Sequence, residues 1–192
     1  MTTYLRPALS LVVLMTVITG ALYPLAVTAV AQVAFPTQAN GSLIHDEQGQ
    51  VRGSALIAQP FTGDGWFHPR PSAAAYATVA SGASNLAPSN PALAARVKAD
   101  TGTLYRAELG PVPQVLLTTS ASGLDPHLSP QALAYQIPRV AAARKLPVER
   151  LQGLIEEATL QPLIGPSVVN VLALNQALEQ LTRCADHRNC EG

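Results

Sequence analysis

The sequence predicts an α+β protein in which one N-terminal transmembrane helix is followed by a single mixed α+β extracytoplasmic domain. Three observations lead to this prediction. No charged side chain occurs from Pro7 to Ile44, strand-like and helix-like segments follow one another through the rest of the chain, and the basic flank of the apolar segment is the N-terminal one. The part after the apolar segment is long enough for one hydrophobic core.

The apolar segment is densest from Ala8 to Val33. As a helix rising about 1.5 Å per residue it would span about 39 Å, more than the roughly 30 Å of bilayer hydrocarbon. A cleaved signal peptide is the rival reading, because Ala29-Val30-Ala31 resembles a processing site. A signal core has about 7–15 apolar residues, however, so the length favours a retained anchor.

Arg6 and the amino terminus precede the helix, whereas no Lys or Arg occurs from Val33 to Val51. Because basic residues stay on the cytoplasmic side, the N-terminus is expected in the cytoplasm. The predicted division is a cytoplasmic tail at 1–7, a transmembrane helix at 8–33, an extracytoplasmic α+β domain at 34–183 and a C-terminal tail at 184–192.

Thr16, Gly20 and Pro24 are spaced four residues apart within the predicted helix. This spacing places small residues on one helix face, where a second helix can approach closely. Any anchor contains some small residues, so the spacing alone is weak evidence. Pro24 is expected to kink the helix near Tyr23, because proline lacks the N–H that the helix needs.

Composition and cysteine usage restrict the partners and the compartment. Twelve basic and twelve acidic residues cancel and only 12% of residues are charged, so no nucleic-acid partner is expected. Cys184 and Cys190 flank His187 in the tail. They are read as a small disulfide loop or two idle thiols rather than as a metal site, since structural zinc sites usually have four ligands.

The first segments after the membrane predict a β-hairpin, with strands at 42–45 and 50–57 around the turn at 46–49. Val51, Leu56 and Ile57 are expected to supply apolar side chains to the core. The stretch 59–72 contains Phe61, Phe67 and the only Trp of the chain, and its prolines exclude a regular helix. Phe61 and Phe67 are expected to turn inward.

Trp66 and Arg70 are the better candidates for partner contacts in that stretch, because both residue types are enriched at interface hot spots. An irregular loop is expected at 73–90. Asn90 caps a helix opened by Pro91, and Ser129 caps one opened by Pro130. Further helices are expected after Pro138, Pro147 and residue 171, and strands at 115–119 and 168–171.

No sequence motif indicates catalysis. The chain has no phosphate-binding loop, no serine-nucleophile motif and no pair of histidines at helical spacing. Two isolated pairs, His68 near Asp64 and His127 near Asp125, leave a general-base role open. They support the alternative reading of a membrane-anchored extracytoplasmic hydrolase of unknown substrate.

Several blocks of the sequence form a recognisable series, in order from Leu5 to about Leu181. They are LRPA at 5–8, GSALIAQ at 53–59, WF at 66–67, RPSA at 70–73, ASGASNL at 80–86, SASGLD at 120–125, QIPRVA at 136–141 and VNV at 169–171. Together these blocks resemble the KdpC family, the C subunits of the bacterial Kdp potassium-transporting ATPase. Ala58 and Ala83 stand where the family usually has Gly, and Trp66 where Tyr is common.

The resemblance implies a non-catalytic accessory subunit of a high-affinity potassium uptake pump in the bacterial inner membrane. Its partners would be a potassium-carrying A subunit, an ATP-hydrolysing B subunit and a small F subunit. The family is also described as a catalytic chaperone that raises the ATP affinity of the B subunit. The complex uses ATP, magnesium and potassium, and no cofactor is assigned to this chain itself. A domain on the outer side of the membrane cannot contact cytoplasmic ATP directly. This location therefore favours a role in assembly and in contact with the A subunit.

Overall fold

The computed structural model describes residues 2–46 and 48–188. The chain divides into two compact units, of which the first ends at Ser54 and the second begins at Ala55. The first unit begins with helix α1 (Thr2–Val17), a π-helical turn (Ile18–Leu22), α2 (Tyr23–Ala34) and the short α3 (Pro36–Ala39). Within the described part of the chain, Thr3–Ala34 is the one helical stretch long and apolar enough to cross a membrane. The membrane helix that the sequence predicts is therefore present as a single continuous candidate span.

The helix changes its hydrogen bonding just before Pro24. Tyr23 N–H donates to the carbonyl oxygen of Ile18, five residues back, which is the π-helical pattern. Pro24 has no N–H of its own to continue the ladder. The predicted disturbance near Tyr23 thus takes the form of a π-helical turn.

The predicted hairpin forms from β1 (Leu43–His45) and β2 (Val51–Ser54), which pair antiparallel. Asp46 organises the turn, because its carboxylate accepts hydrogen bonds from the backbone N–H of Gln48 and Gln50 and from the side chain of Arg52. The bond from Gln50 is the main reason why the pKa of Asp46 is lowered. The hairpin groups with the apolar helix, whereas the division of the chain between membrane sides remains a prediction.

The expectation that Val51 and Leu56 enter the core was wrong. Val51 is 56% exposed at the start of β2, and Leu56 is 62% exposed because β2 ends at Ser54 and a turn follows at residues 55–56. Among the residues that the structure describes, no third strand pairs with either edge of the hairpin. A lone hairpin of this kind has no buried face to offer its apolar side chains.

The second unit, here called the globular unit, contains the core, between a small sheet and a set of helices. Its long loop at 55–90 leads to α4 (Pro91–Leu104), which Asn90 caps by accepting from Ala92 N–H, as expected. The remaining elements are 3₁₀ turns at Ala107–Leu109 and Gln114–Leu116, β3 (His127–Leu128), α5 (Pro130–Ala134), α6 (Ile137–Arg144), α7 (Val148–Glu157), β4 (Thr159–Leu160), β5 (Val168–Asn170) and α8 (Val171–Arg188).

The strand expected at 115–119 was wrong. Leu116 N–H donates to the oxygen of Pro113, and Leu117 N–H to that of Gln114, so the chain closes local 3₁₀ turns. The strands that the sequence did not single out, β3 and β4, flank β5 in an antiparallel sheet ordered β3-β5-β4. Fully buried Leu133, Leu151, Leu174 and Leu178 form the centre of the core against this sheet and its helices.

Candidate functional site

The stretch 61–72, here called the aromatic loop, is irregular but firmly held at its centre. Phe67 is fully buried, and Phe61 packs against the same core, as expected from the sequence. The buried side-chain amide of Asn175 on α8 accepts from Phe67 N–H at 3.0 Å and donates to the Phe67 oxygen at 2.9 Å. The amide thereby satisfies both backbone polar groups of Phe67, which lies outside any strand.

Gln136 repeats this arrangement at the next residue. Its Oε1 accepts from His68 N–H at 2.8 Å and its Nε2 donates to the His68 oxygen at 3.0 Å. Sequence reasoning assigned no role to either amide. The available signal was a polar residue inside an apolar helix seam, since Asn175 follows the buried Leu174.

Two arginines of α6 hold the first half of the loop. Arg139 donates to the backbone carbonyl oxygens of Asp64 at 2.8 Å and of Trp66 at 2.9 Å. Arg144 Nε donates to the Gly65 oxygen at 2.8 Å, and the Arg144 guanidinium lies 4.2 Å from the centre of the Trp66 ring. The loop conformation is therefore set by charge-assisted hydrogen bonds from one helix face.

The two contact candidates of this loop have different surroundings. Trp66 is half-buried, with Phe61 on one side, ring centres 5.7 Å apart, and Arg144 over its ring. Arg70 is engaged within the unit: it donates to Asp125 Oδ2 and to the Thr119 oxygen, both at 3.3 Å. A contact of either residue with a partner remains a prediction, and Arg70 would bring an already paired guanidinium to it.

The three candidates of the apolar helix lie in the other unit. Thr16, Gly20 and Pro24 are exposed, and Gly20 belongs to the π-helical turn. A Cβ built on Gly20 would have one neighbour within 4 Å among the described residues, the Thr16 methyl group at 3.9 Å. The helix surface at Gly20 is therefore open to close approach.

A cleft of about 760 Å³ lies between the aromatic loop, α4 and α6. Its walls combine apolar side chains such as Leu104 with charged ones. The charged and titratable residues on its walls are Asp64, His68, Asp100, Arg106, Glu108, Tyr135 and Arg139.

His68 lies on the cleft wall without a carboxylate partner in hydrogen-bonding range among the described contacts. Its Nε2 lies 3.0 Å from the Gly63 oxygen. Burial lowers the pKa of His68, and the positive charge of Arg139 lowers it further. The imidazole is therefore neutral near neutral pH.

The two Asp/His pairs behind the hydrolase alternative show no hydrogen bond between the two side chains of either pair among the described contacts. The Asp64 side chain is 79% exposed and faces Arg139 at 3.9 Å. His127 Nδ1 lies 3.9 Å from Asp125 Oδ1, while the other oxygen of Asp125 accepts from Arg70. Among the residues that the structure describes, no group of three His, Cys, Asp or Glu side chains converges as a metal site. The cysteine-containing tail lies outside the described side chains.

Comparisons with known proteins give one consistent family. Residues 5–180 match the model of the KdpC family, described as K+-transporting ATPase, c chain. The chain is 81% identical over 181 residues to the Potassium-transporting ATPase KdpC subunit of Pseudomonas putida, covering 94% of this chain and 98% of the relative. The proteins of the same name from Pseudomonas entomophila and Pseudomonas aeruginosa are 74% identical over 185 residues and 59% identical over 179 residues. Those alignments cover 96% and 93% of this chain, and 99% and 98% of the relatives.

Proposed function

The chain belongs to the KdpC family, the c chains of K+-transporting ATPases, and on this premise we propose that it is a non-catalytic accessory subunit needed for assembly and stability of the pump. The observation that carries the proposal is the family match over residues 5–180, which includes the apolar helix as well as the globular unit. The geometry of the two Asp/His pairs does not support the alternative that this chain is a hydrolase, because His127 lies 3.9 Å from Asp125 and Asp64 faces Arg139.

The proposed topology is a single pass through the bacterial inner membrane, with residues 1–7 in the cytoplasm and the globular unit outside. Arg6 ahead of the span supports this orientation, since no Lys or Arg follows until Arg52. Fusing a reporter that is active only outside the cytoplasm to the C-terminus tests it. Activity of that reporter is expected, and fluorescence of a cytoplasm-only reporter at the same position would contradict it.

The proposed partners are the potassium-carrying A subunit, the ATP-hydrolysing B subunit and the small F subunit, with direct contact to A. Pro24 leaves one helix carbonyl without its usual N–H donor, and within lipid a polar side chain of a neighbouring helix is one group that can supply a replacement. The open surface at Gly20 lets such a helix approach. The aromatic loop, with Trp66 and Arg70, is the proposed contact outside the membrane.

Deletion of the gene, with the other subunits left intact, tests the function. Growth at limiting potassium should be lost, and the remaining subunits should no longer copurify as a stable complex. The wild-type chain supplied from a plasmid should restore both. A stable and active pump in the absence of the chain would contradict the proposal.

Substitution of Gly20 by Leu tests the helix contact. A large side chain there should weaken copurification with the A subunit, because the two backbones can no longer approach closely. Ala29→Leu makes a comparable small-to-large change on roughly the opposite side of the helix, given about 100° of rotation per residue. Equal losses in both variants would argue against a specific face.

A further inference from the structure

Two side chains share the backbone oxygen of Gly63, near the start of the aromatic loop. Nε2 of His68 lies 3.0 Å from this oxygen, and a guanidinium nitrogen of Arg139 donates to it at 3.4 Å. Because a carbonyl oxygen can only accept, Nε2 carries the hydrogen of the neutral ring, and Nδ1 is the nitrogen that takes up a further proton. A protonated His68 at this position would therefore place two positive charges on one oxygen.

The surroundings of His68 disfavour that second charge. Burial lowers the pKa of His68 most, and the charge of Arg139 lowers it further. The Gly63 oxygen and Asp64 raise the pKa by less, so it stays below its ordinary value. Once charged, His68 is therefore more stable where its ring is hydrated and further from Arg139. The remaining charged or titratable side chains on the walls of the same cleft, contributed by α4, the first 3₁₀ turn, α5 and flanking residues, are Asp100, Arg106, Glu108 and Tyr135.

The backbone of His68 is held in place, whereas that of Gly63 is free to move. Gln136 binds both the N–H and the oxygen of His68, and Asn175 binds those of Phe67. Gly63 is exposed, and a Cβ built on it would have no neighbour within 4 Å among the described residues. A charged imidazole therefore reaches water by rotation of its side chain, and the Gly63 end of the loop then loses the shorter of its two side-chain contacts.

We propose that the Gly63 oxygen is the fixed point of a pH-sensitive switch, which neutral His68 holds and protonated His68 releases. Trp66 lies three residues further along the loop, in contact with Phe61 and Arg144, so release at Gly63 changes the surroundings of the indole. The contact of this loop with a pump partner should weaken as the medium becomes acidic. That consequence rests on the proposed function, whereas the switch itself does not.

The emission of Trp66 in the purified full chain in detergent, excited selectively at tryptophan, tests the switch. It should change reversibly between about pH 7.5 and about pH 5, at constant far-UV circular dichroism, with a midpoint below about pH 6.5. His68→Gln keeps a donor for the Gly63 oxygen but cannot titrate, so it should abolish the change. His127→Gln alters another half-buried histidine, which does not line the cleft, and should leave the change intact. A flat wild-type profile, or a change that persists in His68→Gln, would overturn the proposal.

Asp64→Asn gives a second variant, which is expected to fold because the Asp64 side chain is 79% exposed. The negative charge of Asp64 raises the pKa of His68, so its removal should move the midpoint of the emission change to lower pH. An unchanged midpoint would show that the transition does not report His68 in this position and would overturn the proposal.

Binding of the full chain in detergent to the complex that lacks it, measured at about pH 7.5 and about pH 5.5, tests the consequence for partner contact. The wild type should bind several-fold more weakly at the lower pH, and His68→Gln should lose less affinity. Equal losses in the two proteins would overturn the effect on partner contact. Failure of the wild type to bind at either pH would overturn the proposed function, while the emission of Trp66 still decides on the switch.

Discussion

The guanidinium of Arg144 lies 4.2 Å from the centre of the Trp66 ring, while its Nε donates a 2.8 Å hydrogen bond to the neighbouring Gly65 oxygen. Glycine at position 65 makes this approach possible, since a Cβ there would lie 3.1 Å from Arg144 Nε. One side chain of α6 thus fixes both the backbone and the indole of the proposed contact loop. Partner binding would then find Trp66 already in place.

Removing this side chain should loosen the loop. Arg144→Ala deletes the cation–π contact and the hydrogen bond, which contribute about 0.5–2 and about 0.5–1.5 kcal/mol in comparable settings. Trp66 is the only Trp in the chain, so fluorescence excited selectively at tryptophan, without the five Tyr residues, reports this loop alone. We expect a red-shifted emission and faster acrylamide quenching than in the wild type. Arg150→Ala, which removes an exposed arginine from α7, should leave the spectrum unchanged; matching spectra in all three proteins would contradict the expectation.

Asn175 should be among the most costly positions for substitution in the globular unit. Asn175→Ala leaves the buried N–H and carbonyl of Phe67 without partners, a loss of about 2–4 kcal/mol of folding stability. Chemical unfolding of the full chain in detergent, followed by Trp66 fluorescence, measures the free energy of unfolding. Gln180→Ala removes an exposed amide from the same helix and should change this free energy by less than about 0.5 kcal/mol. Similar values for both variants would rule out the proposed role of the buried amide.

Gly123 should tolerate no side chain, for two separate reasons. Its φ of +69° is unfavourable for other residues, and a Cβ would lie 2.9 Å from the Gly82 oxygen and 3.2 Å from Ser72 Oγ. Gly110 has a similar φ of +75° but open space where its Cβ would be. Gly123→Ala should therefore destabilise the chain by about 1–3 kcal/mol more than Gly110→Ala does, as measured by equilibrium unfolding. Equal effects would mean that the backbone conformation alone determines the cost.

The elements that were predicted correctly are those with local signals. Asn90 and Ser129 start α4 and α5 as expected, because a capping side chain and a following proline act within one turn. Val115 to Leu117 misled the prediction, since an apolar run between a proline and a turn fits a strand as well as a 3₁₀ turn. Only tertiary pairing decides between them, and β5 takes His127–Leu128 and Thr159–Leu160 as its partners instead.

The candidate site was predictable in location but not in architecture. The density of aromatic residues and prolines identified the stretch 59–72. Its supports come from far along the chain: Asn175 is 108 residues from Phe67, and Arg144 is 79 residues from Gly65. Such pairings depend on how α6 and α8 pack around the loop, which residue type and spacing do not specify. For the same reason the sequence did not distinguish Arg70, paired to Asp125, from a free docking group.

His68 should make the stability of the globular unit dependent on pH. Burial first, and the charge of Arg139 second, lower the pKa of His68 below its ordinary value of 6.5, while the Gly63 oxygen and Asp64 oppose this effect. As the pH falls through about 6.5, the unfolded chain takes up a proton at this position before the folded chain does. The stabilising contribution is therefore fully present above about pH 6.5 and is lost as the pH falls towards the folded-state pKa.

His68→Gln retains an N–H donor for the Gly63 oxygen but cannot titrate, so its free energy of unfolding should fall less between about pH 7.5 and 5.5 than that of the wild type. Unfolding curves at a series of pH values measure the difference, and parallel pH profiles for the two proteins would show that His68 titrates alike in both states.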